Sequence, residues 1–155
     1  MSQQVYYEDI NVGEVLPPLP KVATTQMLVR WAGAIGDDNP LHYESTFATE
    51  QGVGETIVHG SLKRAWLGQL LTDWLGEYGE LLKFSCQYRG IDYPRKMKSM
   101  SEPQDGETWW CRGKVKRKYE ENGYHLVDCR IWVENGKKEK TTIGSAVAAL
   151  PSRNP

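Results

Sequence analysis

Cysteine is scarce in this chain of 155 residues, and the cysteines that occur lie far apart. Cys86, Cys111 and Cys129 are odd in number and lack the close spacing that is typical of metal ligands. We expect reduced and mostly buried thiols, which are usual in a cytosolic protein. The sequence therefore predicts neither a disulfide framework nor a cysteine metal site, and it predicts a cytoplasmic location.

An excess of charge of one sign is also missing, as is a long uninterrupted apolar run. Nineteen basic and twenty acidic side chains leave a formal net charge of −1, which does not favour a partner such as nucleic acid or a membrane surface. The most apolar helix-like stretch, residues 62–75, contains Lys63, Arg64 and Asp73, so we do not expect it to span a bilayer. No basic and apolar leader precedes Tyr6, and we expect no signal peptide.

The first half of the chain predicts two helices within a single domain of residues 1–155. In residues 24–36 the apolar side chains recur at helical spacing, Thr24 or Thr25 can cap the start, and Gly36 can end the helix. The stretch YESTFATEQGVGET that begins at Tyr43 is predicted to be irregular, with its glycines in turns.

The strongest helix signal spans Ser61 to Gly76. Its apolar surface is too broad for a helix that lies on the protein surface. One stripe consists of Leu62, Trp66, Leu70 and Trp74, and it is widened by Ala65, Leu67, Leu71 and Leu75. We therefore expect this helix to pack deeply against a larger element.

The second half of the chain predicts antiparallel strands. Four segments with alternating or β-rich character occupy residues 81–93, 107–119, 123–134 and 139–150. The Asn-Gly pairs 122–123 and 135–136 separate the last three, and Asn-Gly favours hairpins because both residues tolerate a positive φ. Strands that follow one dominant buried helix predict an α+β fold in which a sheet wraps around that helix.

The heptapeptide GDDNPLH, residues 36–42, carries groups that can handle a proton. Asn39-Pro40 disfavours helical geometry, so an aspartate and His42 are displayed from a constrained turn. A carboxylate and an imidazole together can hold and activate a water molecule. Spacing alone leaves both Asp37 and Asp38 available for this role, and an ordinary Asx turn explains the same residues.

A second candidate group lies at the start of the strong helix. His59 and Gly60 come directly before Ser61, where the first backbone N–H groups of the helix have no intrahelical acceptor. A ligand can approach Gly60 closely because it has no side chain. An acid–base pair combined with such a site for a negatively charged oxygen suits the addition of water to an activated double bond.

The stretch from GDDNPLH to VHG resembles the hydratase motif of the MaoC-like family, the (R)-specific enoyl-CoA hydratases. The pattern Asp-x-Asn-Pro-(Leu/Ile)-His, followed by an apolar pair and His-Gly, covers about residues 31–71. The resemblance implies a hot-dog fold, an antiparallel sheet wrapped around one long central helix, and pairing into dimers or larger homo-oligomers.

The resemblance also implies roles for single residues. Asp37, five positions before His42, matches the catalytic aspartate, and His42 matches the catalytic histidine, so Asp38 takes the variable position. Asn39 matches the asparagine that orients the turn. The backbone N–H of Gly60, with Ser61 beside it, is expected to bind the thioester carbonyl.

Two neighbouring positions complete this comparison with the family. His59 is expected to be structural. Some members carry a serine nine positions after that histidine, where this chain has Gly68, which leaves room for an acyl chain.

A basic stretch lies further along the chain. Arg89, Arg95 and Lys96 are candidates for binding the phosphates of coenzyme A or the acidic surface of an acyl carrier protein. A solvated basic loop is the alternative.

These observations predict reversible hydration of a trans-2-enoyl thioester, most simply an acyl-CoA, to a (3R)-hydroxyacyl thioester. No metal and no cofactor is expected, since coenzyme A enters only as part of the substrate. Two alternatives stay open: a non-catalytic partner subunit of a heteromeric hydratase, and another hot-dog enzyme such as a thioesterase. Thioesterases usually lack the Asp-x-Asn-Pro-x-His motif.

Overall fold

The computed structural model describes residues 4–154 and contains three α-helices and five strands in that part of the chain. The helices are α1 (Thr25–Ile35), α2 (Ser45–Glu50) and α3 (Gly60–Leu75). The strands are β1 (Leu19–Lys21), β2 (Glu80–Tyr88), β3 (Trp109–Glu121), β4 (Tyr124–Glu134) and β5 (Lys140–Ala149). They form one antiparallel sheet in the order β1-β3-β4-β5-β2.

Helix α3 is the central helix, as predicted. It packs against β2, β3, β4 and β5, and half of its sixteen residues are buried, with Leu67 and Leu71 fully inaccessible. The helix begins at Gly60, one residue before the predicted start, and Gly76 ends it with a φ of 73°. The prediction of an α+β fold, with a sheet around one buried helix, is confirmed.

The first Asn-Gly hairpin forms as the sequence predicts, whereas the second uses a different residue. Asn122 and Gly123 both have positive φ, 52° and 81°, and join β3 to β4. In the turn between β4 and β5 the left-handed residue is Lys138, with a φ of 63°, while the Asn135 side chain accepts hydrogen bonds from the backbone N–H groups of Lys137 and Glu139. The Asn135 amide therefore organises this turn through side-chain bonds.

Three local predictions need correction. The stretch expected to be irregular contains the short helix α2, whose start is capped by the Glu44 side chain. Residues Pro40–His42 form one turn of 3₁₀ helix where a non-helical turn was expected. In residues 81–93 the sequence alternates through Leu82, Phe84, Cys86 and Tyr88, which predicts that these side chains share one face. A register shift between Leu81 and Lys83 instead places Leu81 against the core and leaves Leu82 exposed.

The cysteines are free thiols. Cys111 and Cys129 are buried, and burial raises the pKa of each thiol to about 12, so neither is a thiolate at neutral pH.

Across residues 4–154, none of the helices combines the length and the apolar character needed to cross a membrane.

Candidate active site

The turn after α1 positions the two proton-handling side chains. Gly36 ends α1 in the left-handed region with a φ of 68°, which a residue without a Cβ adopts at little cost. The Asn39 side chain accepts a hydrogen bond from the N–H of Leu41 at 3.1 Å, and the Asp37 carboxylate accepts one from the N–H of Asn39 at 3.3 Å. These bonds fix the turn, so Asn39 lies where the motif requires an orienting residue.

The structure brings Asp37 and His42 together. Asp37 Oδ2 lies 3.7 Å from His42 Nε2, while within residues 4–154 Asp38 makes no such contact. His42 Nδ1 lies 2.8 Å from the carbonyl oxygen of Ile57. Because a carbonyl only accepts, Nδ1 carries the proton, and in the neutral ring Nε2 is a free acceptor that faces the carboxylate.

His59, for which the sequence predicted only a structural role, lies against this pair. Its ring is completely buried and stacks on the His42 ring, with centroids 3.5 Å apart and planes inclined by 17°. Neither ring nitrogen has a hydrogen-bond partner among residues 4–154, and Nε2 lies 4.0 Å from Asp37 Oδ2. Burial, followed by the neighbouring His42, lowers the pKa of His59 to about 4, so this ring is neutral at neutral pH.

Asp37, His42 and His59 offer three potential metal ligands within 4.8 Å of one another. A metal bound to imidazole lies in the plane of the ring, about 2.0–2.1 Å from the nitrogen for zinc. Two nearly parallel rings 3.5 Å apart direct their lone pairs along parallel lines, and one ion cannot lie in both planes. The geometry of this cluster therefore does not favour a metal centre.

A cavity of about 370 Å³ opens beside these residues. His42 lines it, together with Gly60 and the segment that follows β2. A Cβ at Gly60 would lie 2.7 Å from the Tyr88 ring, so only glycine leaves this ring in place. The first N–H groups of α3, which have no intrahelical acceptor, therefore lie at the same cavity as the imidazole.

The remaining predicted substrate-binding residues differ in their position relative to this cavity. Ser61 accepts a hydrogen bond from Trp31 Nε1 at 3.0 Å at the start of α3. Arg89 lines the cavity. Arg95 donates to the Glu107 carbonyl and to Thr108, and Lys96 pairs with Glu55, so neither lies in the cavity wall.

Sequence reasoning missed one buried pair at this cavity. Lys63 and Asp92 are almost fully buried, with Lys63 Nζ 2.7 Å from Asp92 Oδ2, and Lys63 lines the cavity. The signal was present in the sequence, because Lys63 falls on the same helical face as Leu67 and Leu70. A lysine on an apolar face indicates a buried partner.

A known protein family matches most of the chain. The MaoC like domain matches residues 11–121. No curated protein sequence matches the chain significantly.

Solved structures of hydratases have the same fold. The chain is similar to an (R)-hydratase from A. caviae involved in PHA biosynthesis, at 21% identity and a TM-score of 0.78 over 93% of this chain and 99% of that one. It is also similar to an R-hydratase from Pseudomonas aeruginosa, at 20% identity and a TM-score of 0.79 over 97% and 88%. A third relative, from the ChsH1–ChsH2 complex of Mycobacterium tuberculosis, shows 18% identity and a TM-score of 0.73 over 90% and 98%.

At these identities the structural similarity shows the fold, which is the hot-dog fold that the motif led us to expect. The match to the family extends over more than half of the chain and includes both halves of the motif. The chain therefore belongs to the family of MaoC-like dehydratase domains.

Proposed function

We propose that this protein catalyses the reversible hydration of a trans-2-enoyl thioester to a (3R)-hydroxyacyl thioester. The observation that carries this proposal is the position of two proton-handling groups, the Asp37 carboxylate and His42 Nε2, 3.7 Å apart beside the first turn of α3. The acyl carrier that we propose is coenzyme A.

The two acceptors suit the activation of water. At a separation of 3.7 Å, one water molecule fits within hydrogen-bond distance of both atoms. Such a water donates both of its protons and keeps a lone pair available for attack on C3 of the substrate. In this proposal Asp37 accepts one proton as the C3–O bond forms, and the same pair returns a proton to C2.

The start of α3 supplies the second requirement. Attack at C3 moves negative charge onto the thioester oxygen, and the N–H of Gly60 lies at the cavity where that oxygen would bind. Loss of one such donor typically reduces the rate by about 10²–10³-fold. Within the proposed mechanism no step requires a metal or a further cofactor.

The cationic side chain at the cavity favours an anionic carrier. Arg89 lines the cavity and is exposed, so its guanidinium can reach a phosphate of coenzyme A at the entrance. Arg95 and Lys96 have no part in this proposal because their contacts lie elsewhere. We further propose that the protein acts as a homodimer or a larger homo-oligomer.

The experiment that tests the proposal offers the purified protein trans-2-enoyl-CoA substrates of increasing chain length. Hydration removes the conjugated double bond, and the loss of its ultraviolet absorbance measures the rate. Chiral analysis of the product identifies the 3R or the 3S alcohol. Turnover to the 3R product supports the proposal, while a 3S product contradicts its stereochemistry.

The same assay decides between the proposed function and its alternatives. Release of free thiol without hydration would indicate a thioesterase. A folded protein that binds acyl-CoA but hydrates none would favour a partner subunit, an arrangement suggested by the related chain in a two-component complex.

A further inference from the structure

The buried pair of Lys63 and Asp92 lies next to the proposed active site without taking part in the proposed chemistry. Lys63 is 2% exposed, and its ammonium donates to Asp92 Oδ2 at 2.7 Å and to the Gly90 carbonyl at 3.0 Å. Both acceptors belong to the segment that follows β2. A buried ion pair is a weak source of stability, because desolvation of the charges offsets much of their attraction. The pair therefore suggests another use.

The contacts of this pair lead directly to the cavity wall. Gly90 lines the cavity, as does Lys63 itself, which lies one helical turn after Gly60. The Lys63 ammonium thus attaches the segment after β2, residues 89–92, to the first turns of α3. This segment is called the wall segment below. The same segment is also held to β5, where the N–H groups of Arg89 and Gly90 donate to the Thr141 carbonyl at 2.8 and 3.1 Å, whereas the ammonium supplies its hydrogen bonds to α3.

The same contacts continue to His42. The Asp92 carbonyl accepts a hydrogen bond from the N–H of Val58 at 2.8 Å. The adjacent Ile57 donates to the Leu41 carbonyl at 3.0 Å and accepts from His42 Nδ1 at 2.8 Å. Lys63, Asp92, Val58, Ile57 and His42 therefore form one continuous series of short contacts.

We propose that Lys63 is a positioning residue: through Gly90 and Asp92 it sets the distance between the cavity wall and Gly60, and it fixes the backbone that orients His42. The expected effect of Lys63 on turnover rests on the proposed hydratase function. The expected effect of Lys63 on the position of His42 is independent of that function, so turnover and position are tested separately. The competing explanation is that the pair serves folding alone.

A double variant separates positioning from folding. Lys63→Met alone leaves the Asp92 carboxylate buried without a partner, and loss of stability then obscures any change in turnover. In the double variant Lys63→Met, Asp92→Leu both charges are replaced by apolar side chains of similar size. We expect its unfolding temperature to return toward that of the wild type.

Turnover is expected to stay low in this double variant. Because the ammonium no longer links α3 to Gly90 and Asp92, we expect the segment to shift, kcat to fall by about 10- to 100-fold and KM to change much less, since misplacement of about 1 Å costs up to about 10²-fold. Recovery of kcat together with the unfolding temperature would overturn the proposal and assign the pair to folding alone.

Two further variants serve as controls. Asp92→Asn keeps an oxygen that accepts from Lys63, although the unbalanced buried charge should lower its unfolding temperature. In assays well below that temperature, we expect it to retain kcat within about three-fold; a loss as large as that of the double variant would contradict positioning. Lys118→Met removes an ammonium that donates to the carbonyls of Tyr7 and Ile10, both at 2.6 Å and away from the cavity. It should lower the unfolding temperature and leave kcat unchanged.

A measurement without substrate tests the positioning itself. By nuclear magnetic resonance, we expect the Val58 amide of the double variant to exchange at least about ten-fold faster and the His42 ring to lose its single Nδ1–H tautomer. Unchanged exchange and an unchanged tautomer would overturn the proposal, even if the wild-type protein hydrates no enoyl-CoA. Absence of wild-type turnover alone would refute only the proposed function.

Discussion

Two carboxylate–imidazole pairs in this protein have nearly the same separation and very different surroundings. Asp37 and His42 approach to 3.7 Å, and Glu120 and His125 approach to 3.8 Å. The His42 side chain is 11% exposed, stacks on buried His59 and bonds to a carbonyl, whereas the His125 side chain is 27% exposed. Glu120 and His125 are direct cross-strand neighbours on β3 and β4, an ordinary pairing in antiparallel sheets.

The separation of two groups therefore does not by itself define an active site. His125 borders a larger hollow of about 900 Å³, whose described lining residues include one turn of 3₁₀ helix at Tyr7 but no α-helix N-terminus. The Asp37–His42 pair adds a fixed tautomer, a neutral buried neighbour and the first turn of α3. Substitutions that remove one of these features at a time distinguish the two pairs.

The largest difference in kcat/KM should appear between variants that neutralise Asp37 and Glu120. We expect Asp37→Asn to reduce kcat/KM by about 10²–10⁴-fold, because the water then loses its charged acceptor. Glu120→Gln is the matched control and should leave kcat/KM unchanged. Steady-state rates with an enoyl-CoA substrate measure both. A similar loss in the two variants, or near-native activity of Asp37→Asn, would contradict the assignment.

Breaking the buried pair of Lys63 and Asp92 should cause the largest loss of stability. Lys63→Met leaves a carboxylate that is buried and unpaired, and we expect the free energy of unfolding to fall by about 3–5 kcal/mol. Arg117→Ala removes an exposed pair with Asp128 and should cost less than about 1 kcal/mol. Urea denaturation measures both losses. Equal losses would show that Asp92 finds another partner or is protonated in the variant.

A methyl group at Gly60, the first residue of α3, should lower kcat/KM more than it lowers the stability of the fold. In Gly60→Ala the new Cβ meets the Tyr88 ring, which must move into the cavity, and we expect kcat/KM to fall by about 10²-fold. Gly68→Ala places its Cβ at an ordinary 3.7 Å from Phe84 in the same helix. That variant should raise stability by about 0.5–1 kcal/mol. Destabilisation by Gly68→Ala would show that this part of the helix is already fully packed.

The lowered pKa of His59 should make the free energy of unfolding depend on pH. Its pKa is about 4 in the folded protein and about 6.5 when unfolded, so the unfolded chain binds the extra proton between these values. The free energy of unfolding should therefore fall as the pH is lowered from about 6.5 to 4, by on the order of 2–3 kcal/mol. The dependence should be weaker in His59→Gln. Parallel pH profiles for the two proteins would indicate that His59 titrates normally.

The smallest expected effect is a change in KM when the basic residues Arg89 and Lys96 are replaced. Arg89→Ala should raise KM by about two- to five-fold, as expected for an exposed contact with a phosphate. Lys96→Ala should not, because Lys96 pairs with Glu55 away from the cavity wall. Salt titration of KM checks the electrostatic origin. A rise in KM for Lys96→Ala would extend the substrate site toward residues 93–96.

Much of the fold could be predicted because its signals are local. The limits of α1 and α3 follow from capping residues and glycines, and the Asn122-Gly123 hairpin from its need for positive φ. The exposed Leu82 was not predicted, because a register irregularity depends on the partner strand β5. The capping side chain that starts α2 was likewise overlooked within a polar stretch.

Some features of the candidate site could likewise be predicted from local sequence, and others could not. The motif alone paired Asp37 with His42 and pointed to Gly60; His42 and Gly60 line one cavity, and Asp37 lies 3.7 Å from His42. Their catalytic roles remain predictions. The contact of His59 with His42 was not foreseen, since two residues far apart in sequence stack only after the α2 segment returns the chain to the start of α3.

The family, the central helix and the groups available for chemistry could be read from the sequence, because these depend on residue type and on short spacings. The tautomer of His42, the neutral state of His59 and the bond between Lys63 and Asp92 became clear only from the folded structure. Each of these depends on burial and on atoms supplied by a distant part of the chain. Desolvation and long-range hydrogen bonds are set by packing, and no local pattern of residues specifies them.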